Sequence, residues 1–171
     1  MNKTPSGRRC GIPFPAILGG RAQAAAKITG GEQYPDISGT VCFYPVRAGV
    51  LVRAEVSGLP HSGGAGQIFG FHIHKGTDCG GTVDDPFGDA MSHFDPDGHA
   101  HPYHAGDLPP LFGNDGYALS VFLTNRFSLE EVIGRTIILH DRPDDFTTQP
   151  SGNSGTKIAC GVIRRTGGPC R

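Results

Sequence analysis

The chain has no excess of charge of either sign: 15 lysines and arginines stand against 16 aspartates and glutamates in 171 residues. Nucleic acids and anionic membrane surfaces are bound through a basic footprint, so neither is an expected partner. No apolar run is long enough to span a bilayer. Charged residues are scarce at 18% and apolar stretches are short, whereas glycine (27) and proline (14) are plentiful. That balance suits a turn-rich β domain better than a helical one. An uninterrupted apolar signal core is also missing, because residues 11–20 are few and carry Pro13 and Pro15. Even with the small-residue run at 22–26 as a cleavage-like feature, this N-terminus favours a cytoplasmic over a secreted location.

The length fits one domain with a core that needs neither metal nor disulfides to fold. Five cysteines, at 10, 42, 79, 160 and 170, are an odd number, so one is left over unless it bridges to another chain. Residues 1–25 show no helical or strand period and contain Pro5, Pro13 and Pro15, which predicts a loose arm ahead of a domain at 26–171.

Period-two patterns begin at 40–44. After a turn at 46–49, Val50, Val52, Ala54 and Val56 share one face and Leu51, Arg53 and Glu55 the other, which predicts a half-buried hairpin. In that register Val41 and Phe43 point to the core, and Cys42, on the other face, is the expected free thiol. Residues 68–74 form the next expected strand, with His72 and His74 projecting from one face. The span 79–110 is too rich in Gly, Asp, Pro and His for regular structure and reads as a long functional loop. Residues 117–125 and 136–140 read as buried strands, with a helical turn opened by Ser128 between them. A second irregular loop at 141–156 leads to a last strand from Lys157 to Arg164. Short strands, frequent turns and two long loops describe an all-β sandwich or barrel.

Six of the eight histidines fall within residues 70–107, interleaved with aspartate and glycine. Histidine is the commonest metal ligand, so the cluster reads as a metal site. Cys10 and Cys170 are candidates to pair across the termini.

The ordered motifs HIH at 72–74, HFDP at 93–96, HAGDLP at 104–109, IILHDRPDD at 137–145 and SGNSGTKIACGVI at 151–163 resemble the copper/zinc superoxide dismutases, from about Asp36 to Arg165. The resemblance implies a Greek-key β-barrel (an immunoglobulin-like sandwich) with two long functional loops. It implies copper on His72, His74, His93 and His140, and zinc on the same His93, on His104 and Asp107, and on His99 or His101, of which His101 is preferred. Asp144 matches the carboxylate that joins a copper histidine to a zinc histidine, and Cys79 and Cys160 match the disulfide that ties the metal loop to the barrel. The family's anion-guiding arginine is replaced by Lys157, which keeps the charge without the rigid fork of donors. Lys75 and Arg142 are candidates to rebuild the charge around the copper.

Four imidazoles suit copper, and three imidazoles with a carboxylate suit zinc. The expected activity is therefore conversion of superoxide to oxygen and hydrogen peroxide, with His93 and Lys157 as the catalytic residues and a homodimer left open. The rival is a non-catalytic copper/zinc binder on the same fold; the presence of all four copper histidines favours the enzyme. A zinc hydrolase would need Asp and His where Gly76 and Thr77 stand, which excludes it.

Overall fold

In the computed structural model, residues 14–61 and 67–168 are described. The chain runs through α1 (Phe14–Leu18), β1 (Ala24–Gly30), β2 (Ser38–Val46), β3 (Gly49–Ser57), β4 (Ile68–Phe69) and β5 (Phe71–His74). It continues with β6 (Leu111–Phe112), β7 (Ala118–Thr124), α2 (Leu129–Val132), β8 (Thr136–His140), β9 (Lys157–Val162) and β10 (Arg164–Arg165). The main sheet is antiparallel in the order β5-β8-β9-β1-β2-β3-β7, with β10 beside β1, and β4 pairs with β6 alone. β4 leads into β5 through Gly70 and β6 precedes β7, so the small pair links the two ends of the curled sheet. From β3 the chain crosses to the far end as β5, returns beside β3 as β7, and crosses again as β8. These crossings give the expected Greek-key barrel.

The hairpin forms in the register read from its alternation, with Val41 opposite Ala54 and Phe43 opposite Val52. These four side chains meet Phe71, Ile73, Ile137, Leu139 and Ile158 in one buried core. Full burial of a large aliphatic or aromatic side chain contributes about 1.5–3 kcal/mol, so this core supplies the frame on which the histidines are mounted. The expected turn at 127–133 is α2, where the Ser128 N–H donates to the Glu131 carboxylate at 2.7 Å.

Three expectations need correction. The arm expected at 1–25 is not loose where it is described: Ile17 and Leu18 of α1 pack on Ala22, Cys42, Tyr44 and Leu51, and β1 begins at Ala24 inside the sheet. Ala24, Ala26 and Ile28 are its buried face; an alanine-rich strand carries little β-propensity of its own and is fixed by β2 and β9 on either side. Cys42 does lie on the face away from the core, but α1 covers that face, and Cys42 is buried and disulfide-bonded rather than free. The segment at 117–125 is not a buried strand, because β7 ends the strand order and leaves Leu119, Val121 and Leu123 exposed. The expected Cys10–Cys170 pair lies outside the described residues. Among the described residues, no helix is long and apolar enough to cross a membrane.

Candidate metal centre

β5 puts His72 and His74 on one face, as the period of two requires, and its antiparallel partner β8 ends in His140. The other edge of β5 is occupied by the long loop. The Ile73 N–H donates to Gly106 O at 2.9 Å, and the Phe94 N–H donates to Ile73 O at 2.8 Å. Isolated bridges pair His72 with Asp107 and His74 with His93. The contact requires glycine at 106, since an added Cβ would stand 2.2 Å from the Ile73 carbonyl oxygen. The disulfide Cys79–Cys160 fastens the start of the loop to β9.

Two groups of buried side chains result. One ligating atom from each of His72, His74, His93 and His140 lies within 4.8 Å of the others, and so does one from each of His93, His101, His104 and Asp107. His93 belongs to both. Its Nδ1 is 2.7 Å from Asp107 Oδ1, in the second group, while its Nε2 is buried without a hydrogen-bond partner. The alternative at 99 is not brought in: His99 is half-exposed beside Asp95, at 3.4 Å.

Hydrogen bonding shows which ring nitrogens are bare. His74 Nδ1 faces Met91 O at 2.8 Å and His140 Nδ1 faces Gly155 O at 3.3 Å. A carbonyl only accepts, so both Nδ1 atoms carry the proton and both Nε2 atoms present lone pairs. Those two Nε2 atoms stand 3.3 Å apart. His72 and His101 donate from Nε2 to the two oxygens of Asp144, at 2.7 and 2.9 Å, which leaves their Nδ1 atoms buried and unpartnered. Asp107 is approached by the Nδ1 atoms of His93, His101 and His104 at 2.7, 3.1 and 3.3 Å. Converging lone pairs in a dry site repel one another unless a cation lies among them. The residues present therefore fit two metal ions, an all-imidazole set beside a three-imidazole, one-carboxylate set.

Electrostatics points the same way. Burial pushes His72 down to about 4 and His140 to about 3, and holds His74 well below the usual imidazole range, each reinforced by neighbouring histidines. All three are neutral and ready to ligate at physiological pH. Burial alone would raise Asp144, but hydrogen bonds from His72, the Phe146 N–H and His101 outweigh it and bring the carboxyl down to about 2. Asp107 is likewise held below its usual value by His93, against the effect of burial.

The all-imidazole group opens to solvent through a cavity of about 430 Å³ lined by His74, His93, His140, Lys75 and Lys157. Lys157 Nζ donates to Phe87 O at 3.1 Å and lies 3.5 Å from Asp85 Oδ1, which draws the ammonium toward residues 85–87, beside this cavity and not part of its lining. Arg142 is not among the lining residues.

Three supporting residues carry no sequence signal. Arg126 Nη1 donates to the carbonyls of Pro102, His104 and Asp107 at 2.8, 3.3 and 3.3 Å. Gln149 pairs with the backbone of His101, donating from Nε2 to its carbonyl at 2.7 Å and accepting from its N–H at 3.0 Å. Gly152, at φ +66°, leaves room for the carboxylate and ring: a Cβ there would lie 2.0 Å from Asp144 Oδ1 and 2.7 Å from His101 Nε2.

Comparison with known proteins agrees with this geometry. The family model described as copper/zinc superoxide dismutase matches residues 37–163. The chain is 38% identical to a superoxide dismutase [Cu-Zn] of Deinococcus radiodurans, over 78% of this chain and 80% of that protein. It is 32% identical to superoxide dismutase [Cu-Zn] 2 of Aquifex aeolicus (75% and 80% covered) and 33% identical to a Legionella pneumophila superoxide dismutase [Cu-Zn] (76% and 80%). With the family model spanning β2 to β9 and both histidine groups, the chain belongs to the copper/zinc superoxide dismutase family.

Proposed function

We propose that the chain converts superoxide to oxygen and hydrogen peroxide, with copper held by His72, His74, His93 and His140 and zinc by His93, His101, His104 and Asp107. The observation that carries this reading is the membership of one ring, His93, in both groups, one nitrogen on Asp107 and the other free. Copper, when bound, supplies the one-electron exchange with superoxide.

The protein's own part is to admit, hold and protonate a small anion. Lys75 and Lys157 line the entrance against the one carboxylate of Asp95, a net positive lining that raises the local concentration of an anionic substrate. His93 Nε2 is the nitrogen that takes up a proton and hands it to the reduced oxygen species leaving the cavity. Asp144 keeps His72 and His101 in the tautomers that present Nδ1, and Met91 O and Gly155 O keep His74 and His140 in those that present Nε2. The disulfide-bonded state of Cys42, Cys79 and Cys160 supports an oxidising compartment over the cytoplasm favoured by the N-terminus alone.

The test is metal analysis combined with superoxide decay after a radiolytic pulse. Copper and zinc near one each per chain, with activity lost on copper removal and restored on reloading, is the expected result. Full zinc occupancy with no activity after copper loading would make the protein a metal binder on the same fold.

A further inference from the structure

The second irregular loop, residues 141–156, carries two ties to the zinc ligand His101. At its base, Asp144 Oδ1 accepts from His101 Nε2. Nearer its tip, the Gln149 side chain brackets the His101 main chain with one donated and one accepted hydrogen bond, at 2.7 and 3.0 Å. Pro150 and Ser151, the next two residues, line the cavity that leads to His74, His93 and His140, together with Gly155 of the same loop. The wall of the cavity is thus attached, one residue away, to the backbone of a side chain in the neighbouring group.

We infer that Gln149 is a positioning residue that makes the wall of the copper cavity follow the occupancy of the zinc group. The coupling is local. His101 brings its ring to Asp107, His93 and His104 only when its backbone is set correctly, and its Nδ1, 3.1 Å from Asp107 Oδ2, makes no hydrogen bond of its own. An ion bound there fixes the ring and with it the peptide on either side. Gln149 presents an amide to that peptide in the pairing used between β-strands, so an ordered His101 backbone orders Gln149 and then Pro150 and Ser151. Asp144 reaches the tip only indirectly, through the backbone pairs of Asp145 N–H with Gly152 O at 2.9 Å and Gly152 N–H with Thr148 O at 2.7 Å, whereas Gln149 touches the His101 peptide itself. Four residues separate Asp144 from Gln149, Gln149 itself is exposed, and the stretch between makes local turns, with the Asp145 carboxylate accepting from the Thr147 and Thr148 N–H groups at 2.8 Å. Coupling is reciprocal, so a loosened tip also lowers the zinc affinity.

The inference rests on the assignment of zinc to His101, and the experiment keeps the two apart. Copper-free full-length protein is compared with and without one equivalent of zinc by amide hydrogen exchange, resolved for residues 141–147 and 148–156, and zinc affinity is measured by competition with a chromogenic chelator. The variants are Gln149→Met, which keeps length without hydrogen bonding, Gln149→Glu, which keeps the acceptor and loses the donor, and Asp144→Asn.

In the wild type, zinc protects both segments. In Gln149→Met, zinc still protects 141–147 but protection of 148–156 falls at least tenfold, and zinc binds about tenfold more weakly, the low end for loss of an outer partner. Gln149→Glu shows the same loss at the tip, whereas Asp144→Asn loses protection at the base as well. With copper restored, azide binding at the cavity responds to zinc in the wild type and no longer does so in Gln149→Met. Equal zinc protection of 148–156 in wild type and Gln149→Met would overturn the inference. Failure of the wild type to bind stoichiometric zinc, or zinc binding unaffected by His101→Ala, would instead overturn the assignment of His101.

Discussion

The two halves of the metal centre are built differently. In the all-imidazole half, His72, His74 and His140 sit on adjacent hydrogen-bonded strands, and their positions follow from the ladder between β5 and β8. In the other half, His101, His104 and Asp107 lie on a loop without strand or helix, held by side chains from elsewhere: Arg126, Gln149 and Asp144. Backbone pairing places a ligand through many small contacts, and side-chain moorings place it through a few. The strand half should therefore tolerate single changes around it, and the loop half should not. Two residues mix the types: His93 and Asp107 are loop residues bridged to His74 and His72 on the edge of β5.

The largest effect is expected where the halves meet. His93→Ala should weaken both metals and reduce superoxide activity by at least about a hundredfold, the usual scale for loss of a proton-handling side chain; metal analysis alongside the pulse assay checks this. Retention of both metals at full affinity would mean that the halves share no ligand. Asp144→Asn comes next, because one amide cannot accept from both His72 and His101. Metal affinity should fall about 10- to 100-fold, and further for the loop half than for the strand half. Equal losses, measured by chelator competition for each ion, would erase the difference between the halves.

Acid tests the strand half in another way. His72 and His140 titrate at about 4 and 3 in the fold, below the 6.5 of a free imidazole. A proton thus binds the unfolded chain first, and the stability of the metal-free protein, level above pH 6.5, declines as pH falls from there through about 4. The strand half should meanwhile stay deprotonated, and so hold its metal, down to about pH 4. Chemical denaturation and metal release followed against pH report both; release already at pH 6 would show that burial does not keep these rings neutral. The smallest expected change is Lys157→Arg. Phe87 O and Asp85 already hold the cation beside the cavity, so the gain is limited to better orientation of the anion, about threefold in rate at low ionic strength and less as salt screens the charge.

The same contrast explains what is legible in the sequence. The facing of β2, β3 and β5 can be read directly because side chains along a strand alternate between its two faces, and that period alone is enough to place His72 and His74 on one face. The choice between His99 and His101 is beyond it, because a loop has no period; Asp107 and Asp144 select the second by meeting its ring. Gln149 and Arg126 look like ordinary exposed polar residues, and only their distances to peptide carbonyls give them a role. The errors over β1, Cys42 and β7 share a cause. Local pattern says which face a side chain takes, and position in the strand order decides whether that face is covered: α1 covers Cys42, and nothing stands outside β7 in the strand order.

One consequence of Gly106 reaches past catalysis. By letting the loop lie against β5, this glycine occupies main-chain groups that would otherwise form an open strand border at the end of the sheet. Chelation of both ions removes much of what keeps the loop seated there. The uncovered border then becomes a template for the strand of another molecule, so for this protein metal content is also a measure of colloidal safety.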